Sequence, residues 1–317
     1  RPRLESTAMG LRAAAACCLA MALLASRLAG GAEPAVTPAP APAAATEFLV
    51  GNTVFVLAHE FGHAIIRDFN VPILGLEENS ADTLAAGVLI LAERATAATD
   101  PDPHAFSRRL GMAAVGNVLT WRGGLEVANP DLIYWSQHDL SARRAARILC
   151  LLIGSDPERF GWLVDPELVP EVRAENCPDE YRLAEHAVQW VLRTYGRFAD
   201  GRPAEEGREI RIQYFDPATP AQARLLQRFR DRQVFETVAG FYDRAFRFPE
   251  PLTLRLVSCG TPNAYWDPGL RQLRFCYELL EVLDKLSVDP TVNRAYDALR
   301  RHERIPTKKA ESNPPKE

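Results

Sequence analysis

The sequence predicts an α+β fold, mostly helical, with a small mixed β-sheet near the C-terminus. Residues 46–200 hold long apolar stretches at helical spacing. Within 208–292, three short stretches alternate apolar with polar residues, the period of half-buried strands. A chain of 317 residues, 47% hydrophobic and 25% charged, fills one large domain or two small ones. Its formal net charge of -4 gives no case for a nucleic-acid partner or an anionic membrane surface. No internal repeat stands out.

Residues 1–8 precede Met9 and read as an over-extended frame. From Met9 the pattern is that of a secretory signal. Arg12 leads into an apolar stretch from Ala13 to Leu24, and Gly30-Gly31-Ala32 supplies small residues for cleavage after Ala32. The stretch is too short to span a bilayer, so no stable membrane insertion is expected once the signal is cleaved. An uncleaved anchor is the alternative. Cys17 and Cys18 leave with the signal. Residues 33–45, with Pro34, Pro38, Pro40 and Pro42 among alanines, read as an extended linker.

The first helix of the folded region carries His59-Glu60-Phe61-Gly62-His63 inside the apolar run Val54–Ile66. Positions i and i+4 share one helix face, so His59 and His63 can present two imidazoles to one point, with Glu60 beside it as a general base. Apolar residues all round mark a helix buried in the domain centre. Buried there, two histidines and a carboxylate are costly unless something satisfies them, and a zinc ion would. The chance alternative is a surface helix that happens to carry two histidines. Asn70 to Gly75, with Pro72, reads as the turn that ends this helix. A second helix starts near Glu77, with Ala81, Leu84, Ala85 and Val88 at helical spacing. Glu78 completes a His₂Glu set for one Zn²⁺ per chain and leaves a fourth position for water. One turn on, Asp82 can accept the second ring N–H of a ligand histidine, His59 being the better candidate. An ordinary acidic helix start accounts for Glu77 but not for Asp82.

His59-Glu60-x-x-His63 followed by Glu78-x-x-Ala81-Asp82 resembles the gluzincin metallopeptidases. Over residues 46–280 the chain is more closely similar to a bacterial family of domains of unknown function, regarded as candidate secreted metallopeptidases. The resemblance implies a zincin-like fold acting on a peptide or protein substrate. Ala105 to Trp121 reads as a further helix, and Gly123-Gly124 as a break. Next, His138, Arg144 and Cys150 match a family segment in which a histidine precedes a short loop, an arginine and a cysteine-bearing helix. That likeness makes His138 a candidate catalytic group at the oxyanion; a loop histidine bonded to backbone is the alternative. Arg144 reads as a structural ion pair. His104, His186 and His302 default to surface roles.

Gly154 to Glu158 is a helix stop and restart, and Tyr181 to Tyr195 an amphipathic helix. Four cysteines beyond the signal, Cys150, Cys177, Cys259 and Cys276, suggest two disulfides. Three pairings are possible; the sequence-local one, Cys150–Cys177 and Cys259–Cys276, is the economical choice. Residues 209–214, 252–257 and 272–277 alternate as strands, and Ala221 to Phe246 reads as one helix, giving a βαββ unit. Asn263-Ala264-Tyr265-Trp266 resembles the edge strand of membrane-associated gluzincins, which implies substrate contact at Asn263, Ala264 and Tyr265 by β-addition; a disulfide-tied hairpin with no ligand is the alternative. In those relatives the sheet precedes the HExxH helix, whereas here it follows, so a circularly permuted arrangement is expected. Tyr265 or Tyr277 could assist at the oxyanion. A polar tail begins at Asn293.

The reading is a secreted or periplasmic zinc metallopeptidase. Two alternatives stay open: a zinc hydrolase of a non-peptide or cell-wall amide, and a zinc-binding scaffold that has lost catalysis.

Overall fold

The computed structural model describes residues 43–122, 141–165, 169–197 and 210–303. The expected signal segment, most of the expected linker, His138 and residues 304–317 lie outside them. The fold is α+β, a helical assembly followed by a four-stranded mixed sheet in the C-terminal half.

Helix α1 (Ala43–Asp68) is the centre: 19 of its 26 residues are buried. By length and composition it could cross a bilayer, but 94% of its most apolar window is buried inside the fold, which makes it a core helix. It starts three residues inside the expected linker, with Ala44 and Ala45 already buried. Around it pack α2 (Glu77–Thr96), α3 (Ala105–Arg122) and, from the C-terminal half, α9 (Val234–Ala245), α10 (Tyr277–Leu286) and α11 (Pro290–His302). Asn70 ends α1 in the left-handed region (φ 50°), a conformation asparagine tolerates at a helix C-terminus, and Pro72 prevents continuation.

Helix α4 (Ser141–Ser155) packs on α3 and on α7 (Cys177–Tyr195). Between them Asp156 accepts from the Arg159 amide at 3.1 Å and caps the short α5 (Pro157–Phe160); a second short helix, α6 (Glu171–Ala174), follows. The Cys150–Cys177 disulfide ties α4 to the start of α7. Under this corner lies a buried polar cluster. Glu93 accepts from Arg159 at 2.5 Å and from the Ser107 amide at 2.7 Å, and His104 stands 3.5 Å away. His104 is therefore half-buried against this cluster rather than a free surface residue.

The strands are β1 (Ile210–Tyr214), β2 (Leu252–Val257), β3 (Ala264–Asp267) and β4 (Gln272–Cys276), in the order β1-β2-β4-β3. β1, β2 and β4 run parallel, and β3 pairs antiparallel with β4 at the edge. The Cys259–Cys276 disulfide joins the loop after β2 to the end of β4. The single helix expected between β1 and β2 is two: α8 (Pro220–Asp231) and α9 are separated at Gln233, which is left-handed (φ 51°). Nor does a tail begin at Asn293. Asp289 accepts from the Thr291 amide to start α11, which buries Val292 and Leu299 as it packs on α1 and α3.

Candidate metal centre

The site forms where α1 and the first turn of α2 nearly touch. A Cβ on Gly62 would sit 3.1 Å from the Ala81 Cα, so the missing side chain is what lets the two helices approach. Leu76 gives α2 no side-chain cap, and Glu77 and Glu78 occupy its first turn, where the helix dipole favours negative charge.

That approach brings together three side chains that could hold a metal ion. His59 Nε2 lies 3.1 Å from His63 Nε2 and 3.1 Å from a Glu78 oxygen; His63 Nε2 lies 3.4 Å from the other oxygen. These donor atoms all fall within 4.8 Å of one another. On the far side of each ring, Nδ1 meets a carboxylate. His59 Nδ1 stands 2.8 Å from Asp82, and His63 Nδ1 2.8 Å from Glu77. Both carboxylates are held in turn by arginines, Asp82 by Arg144 and Glu77 by Arg67. His63 Nδ1 is hydrogen-bonded to Glu77 and His59 Nδ1 lies within ion-pair distance of Asp82, while both Nε2 atoms face the Glu78 oxygens. Such a point is occupied either by protons or by a cation.

The electrostatics agree. Burial alone would lower the His59 pKa, but the Asp82 and Glu78 carboxylates more than offset it and hold it at about 9. His63 follows the same pattern: burial opposes its charge, while Glu78 and Glu77 favour it and prevail. For Asp82 burial acts upward, and the bonds to His59 and Arg144 outweigh it and depress the carboxyl. Glu60 moves the other way. It is buried beside His59, and desolvation raises its pKa despite the neighbouring histidines and the nearby Trp266 backbone N–H.

Strand β3 lies against α1, so Ala264 and Trp266 pack toward the core and Tyr265 points to the opposite face of the sheet. The Tyr265 hydroxyl accepts from Arg274 at 3.0 Å, and buried Tyr277 donates to the Phe215 carbonyl at 2.8 Å. Neither hydroxyl is hydrogen-bonded to a residue of the histidine site. Asn263 turns its side chain onto the Ala264 amide at 2.9 Å. His138 lies outside the described residues. Glu77 was missed from sequence because the helix dipole already explained a carboxylate there. The available signal was Arg67, one turn after His63 on the same face of α1, which called for an acid opposite.

Neither a curated protein nor a solved structure matches the chain. The sequence pattern of a family described as "Putative metallopeptidase" matches residues 31–192 and 214–304. That match spans most of the chain, and the His/His/Glu cluster is a site of the kind a metal-dependent hydrolase requires; the protein belongs to this metallopeptidase family.

Proposed function

We propose that the protein is a secreted, zinc-dependent metallopeptidase of the gluzincin type, holding one Zn²⁺ per chain through His59, His63 and Glu78. The observation that carries the reading is the spacing of the three donors. Atoms on a tetrahedral zinc at about 2.0–2.1 Å stand ~3.3 Å apart. Here the two Nε2 atoms stand 3.1 Å apart, and each faces its own Glu78 oxygen, Oε2 at 3.1 Å from His59 and Oε1 at 3.4 Å from His63. Two nitrogens and one carboxylate are a donor set that zinc favours, and carboxylates behind both rings strengthen it.

The chain's own residues then divide the chemistry. Glu60 takes the proton of an attacking water and returns it to the leaving amine. Burial, which raises its pKa, brings it closer to the range where a general base works near neutral pH. The Trp266 backbone N–H of the edge strand lies close to its carboxylate. A peptide adding to that edge along Asn263, Ala264 and Tyr265 would run past Glu60, its main chain held as an extra strand. Zinc supplies the Lewis acidity that activates water and polarises the scissile carbonyl. Two disulfides support an oxidising, extracytoplasmic compartment.

Metal analysis of the purified protein tests this. About one zinc per chain is expected, the stoichiometry of a single His₂Glu site. Retention should be lost in His59→Ala and His63→Ala and strongly weakened in Glu78→Gln. A wild-type protein that takes up no zinc when it is supplied would overturn the reading.

A further inference from the structure

The sheet carries a charged surface that the hydrolytic reading leaves unused. Alternation sends Leu254, Leu256, Leu273 and Phe275 into the core, so Arg255 and Arg274 stand on the opposite face. The two arginines are register partners on adjacent strands. Neighbouring strands lie about 4.7–4.9 Å apart, and like charges directly opposite destabilise a sheet. Yet among the described residues no carboxylate pairs with either. Their hydrogen-bond partners are neutral: the Gln272 amide oxygen accepts from Arg255 at 3.1 Å and from Arg274 at 3.4 Å, and the Tyr265 hydroxyl accepts from Arg274. Rings flank them as well, with the Arg255 guanidinium 4.4 Å from the Phe215 ring centre and that of Arg274 5.7 Å from Tyr265. The Nε of each is buried without a partner. Among the described residues no helix packs over this face of β2 and β4. Two positive charges are thus held in fixed positions with no carboxylate of the described residues paired to them.

Their location matters for the peptidase reading. Arg274 is bonded to Tyr265 on the edge strand, and the backbone N–H of the next residue, Trp266, lies close to Glu60. Along a peptide added to that edge, alternate side chains would project to the arginine face.

We infer that Arg255 and Arg274 form an anion subsite that selects peptide substrates carrying an acidic side chain beside the scissile bond. Guanidinium forks match carboxylates bidentately, and fixing them in advance on rings and an amide lowers the cost of binding. A single-stranded nucleic acid fits less well, because it needs free rings to stack on, and here both rings already flank guanidiniums. The substrate class rests on the peptidase reading; the anion subsite itself does not.

The test is fluorescence anisotropy at low salt with the full-length protein. The probes are fluorescein-labelled Gly/Ser decapeptides containing either Glu-Ser-Glu or Gln-Ser-Gln. The Glu peptide should bind about tenfold more tightly, a preference that shrinks with added salt. In the Arg255→Gln/Arg274→Gln double variant the preference should fall to within about twofold, leaving only the weak contribution of exposed charges. Should the double variant not fold, each single variant is expected to lose about threefold. Equal affinity for the two peptides, a preference that survives in folded variants, or tighter binding of a thymidylate decamer would overturn the subsite. Glu preference without cleavage of any peptide would leave the subsite standing and remove the peptidase reading. Cleavage without Glu preference would do the reverse.

Discussion

Arg144 grips Asp82 with both sides of its guanidinium, Nε donating to Oδ2 at 2.9 Å and Nη2 to Oδ1 at 2.7 Å. That same Oδ1 stands 2.8 Å from His59 Nδ1. The result is a relay of fixed positions, arginine to carboxylate to imidazole, behind the Nε2 that faces the proposed metal point. A second relay runs through Arg67, Glu77 and His63, but Arg67 is 62% exposed against 23% for Arg144.

Asp82→Asn should keep the fold and bind zinc about 10- to 100-fold more weakly, as for other lost partners of ligand histidines. Glu77→Gln should cost less, because its arginine is solvated. Zinc affinities of the two variants by competition with a chelator check the order. Equal affinities for Asp82→Asn and wild type would reduce Asp82 to a structural carboxylate.

Gly62→Ala is expected to act on stability and metal together. Its Cβ meets the Ala81 backbone at 3.1–3.2 Å, which side-chain rotation cannot relieve. Overpacking of this kind costs about 1–3 kcal/mol, and here the strain pushes Glu78 away from the histidines. Melting temperature and zinc affinity should fall in the same variant. Loss of one without the other would separate the helix contact from the site.

The Glu93 cluster sets an acid limit. Burial would raise the Glu93 pKa, but His104, Arg159 and Ser107 together lower it below the ordinary 4.5. A depressed carboxyl contributes stability that is complete above the unfolded value and is lost as pH falls through the folded one. Glu93→Gln should therefore cost about 3–5 kcal/mol at neutral pH, the penalty for stranding a buried arginine. Below pH 4.5 the gap to wild type should narrow as Glu93 itself protonates. Denaturant midpoints at several pH values check this, and a gap that stays constant into acid would contradict it.

The histidines and Glu78 were legible because helical periodicity alone puts His59 and His63 on one face, and an acidic helix start soon follows. Which ring Glu77 would meet depends on how the two helices cross, and no local pattern encodes that. The break at Gln233 was hidden for a related reason. A non-glycine residue in the left-handed region leaves no composition signal, so two helices read as one. The α11 helix buries little beyond Val292, Ala298 and Leu299, and in sequence so thin an apolar stripe looked like a tail. Its start signals, Asp289 and Pro290, were present but outweighed by the polar residues that follow. Strand alternation served better, since a period of two survives in short segments such as 252–257 and 272–276.

Glu60 separates a catalyst from a metal-bearing scaffold. The amide of Glu60→Gln keeps the side chain's shape but cannot take a proton, and losing a positioned general base costs about 10²–10⁴-fold in rate. The measurement is peptide-library hydrolysis by wild type and Glu60→Gln, with zinc quantified in the same samples. Full zinc with hydrolysis nearly gone is the expected result. Wild-type turnover in a zinc-loaded Glu60→Gln protein would mean that the His59–His63 helix is not the catalytic centre.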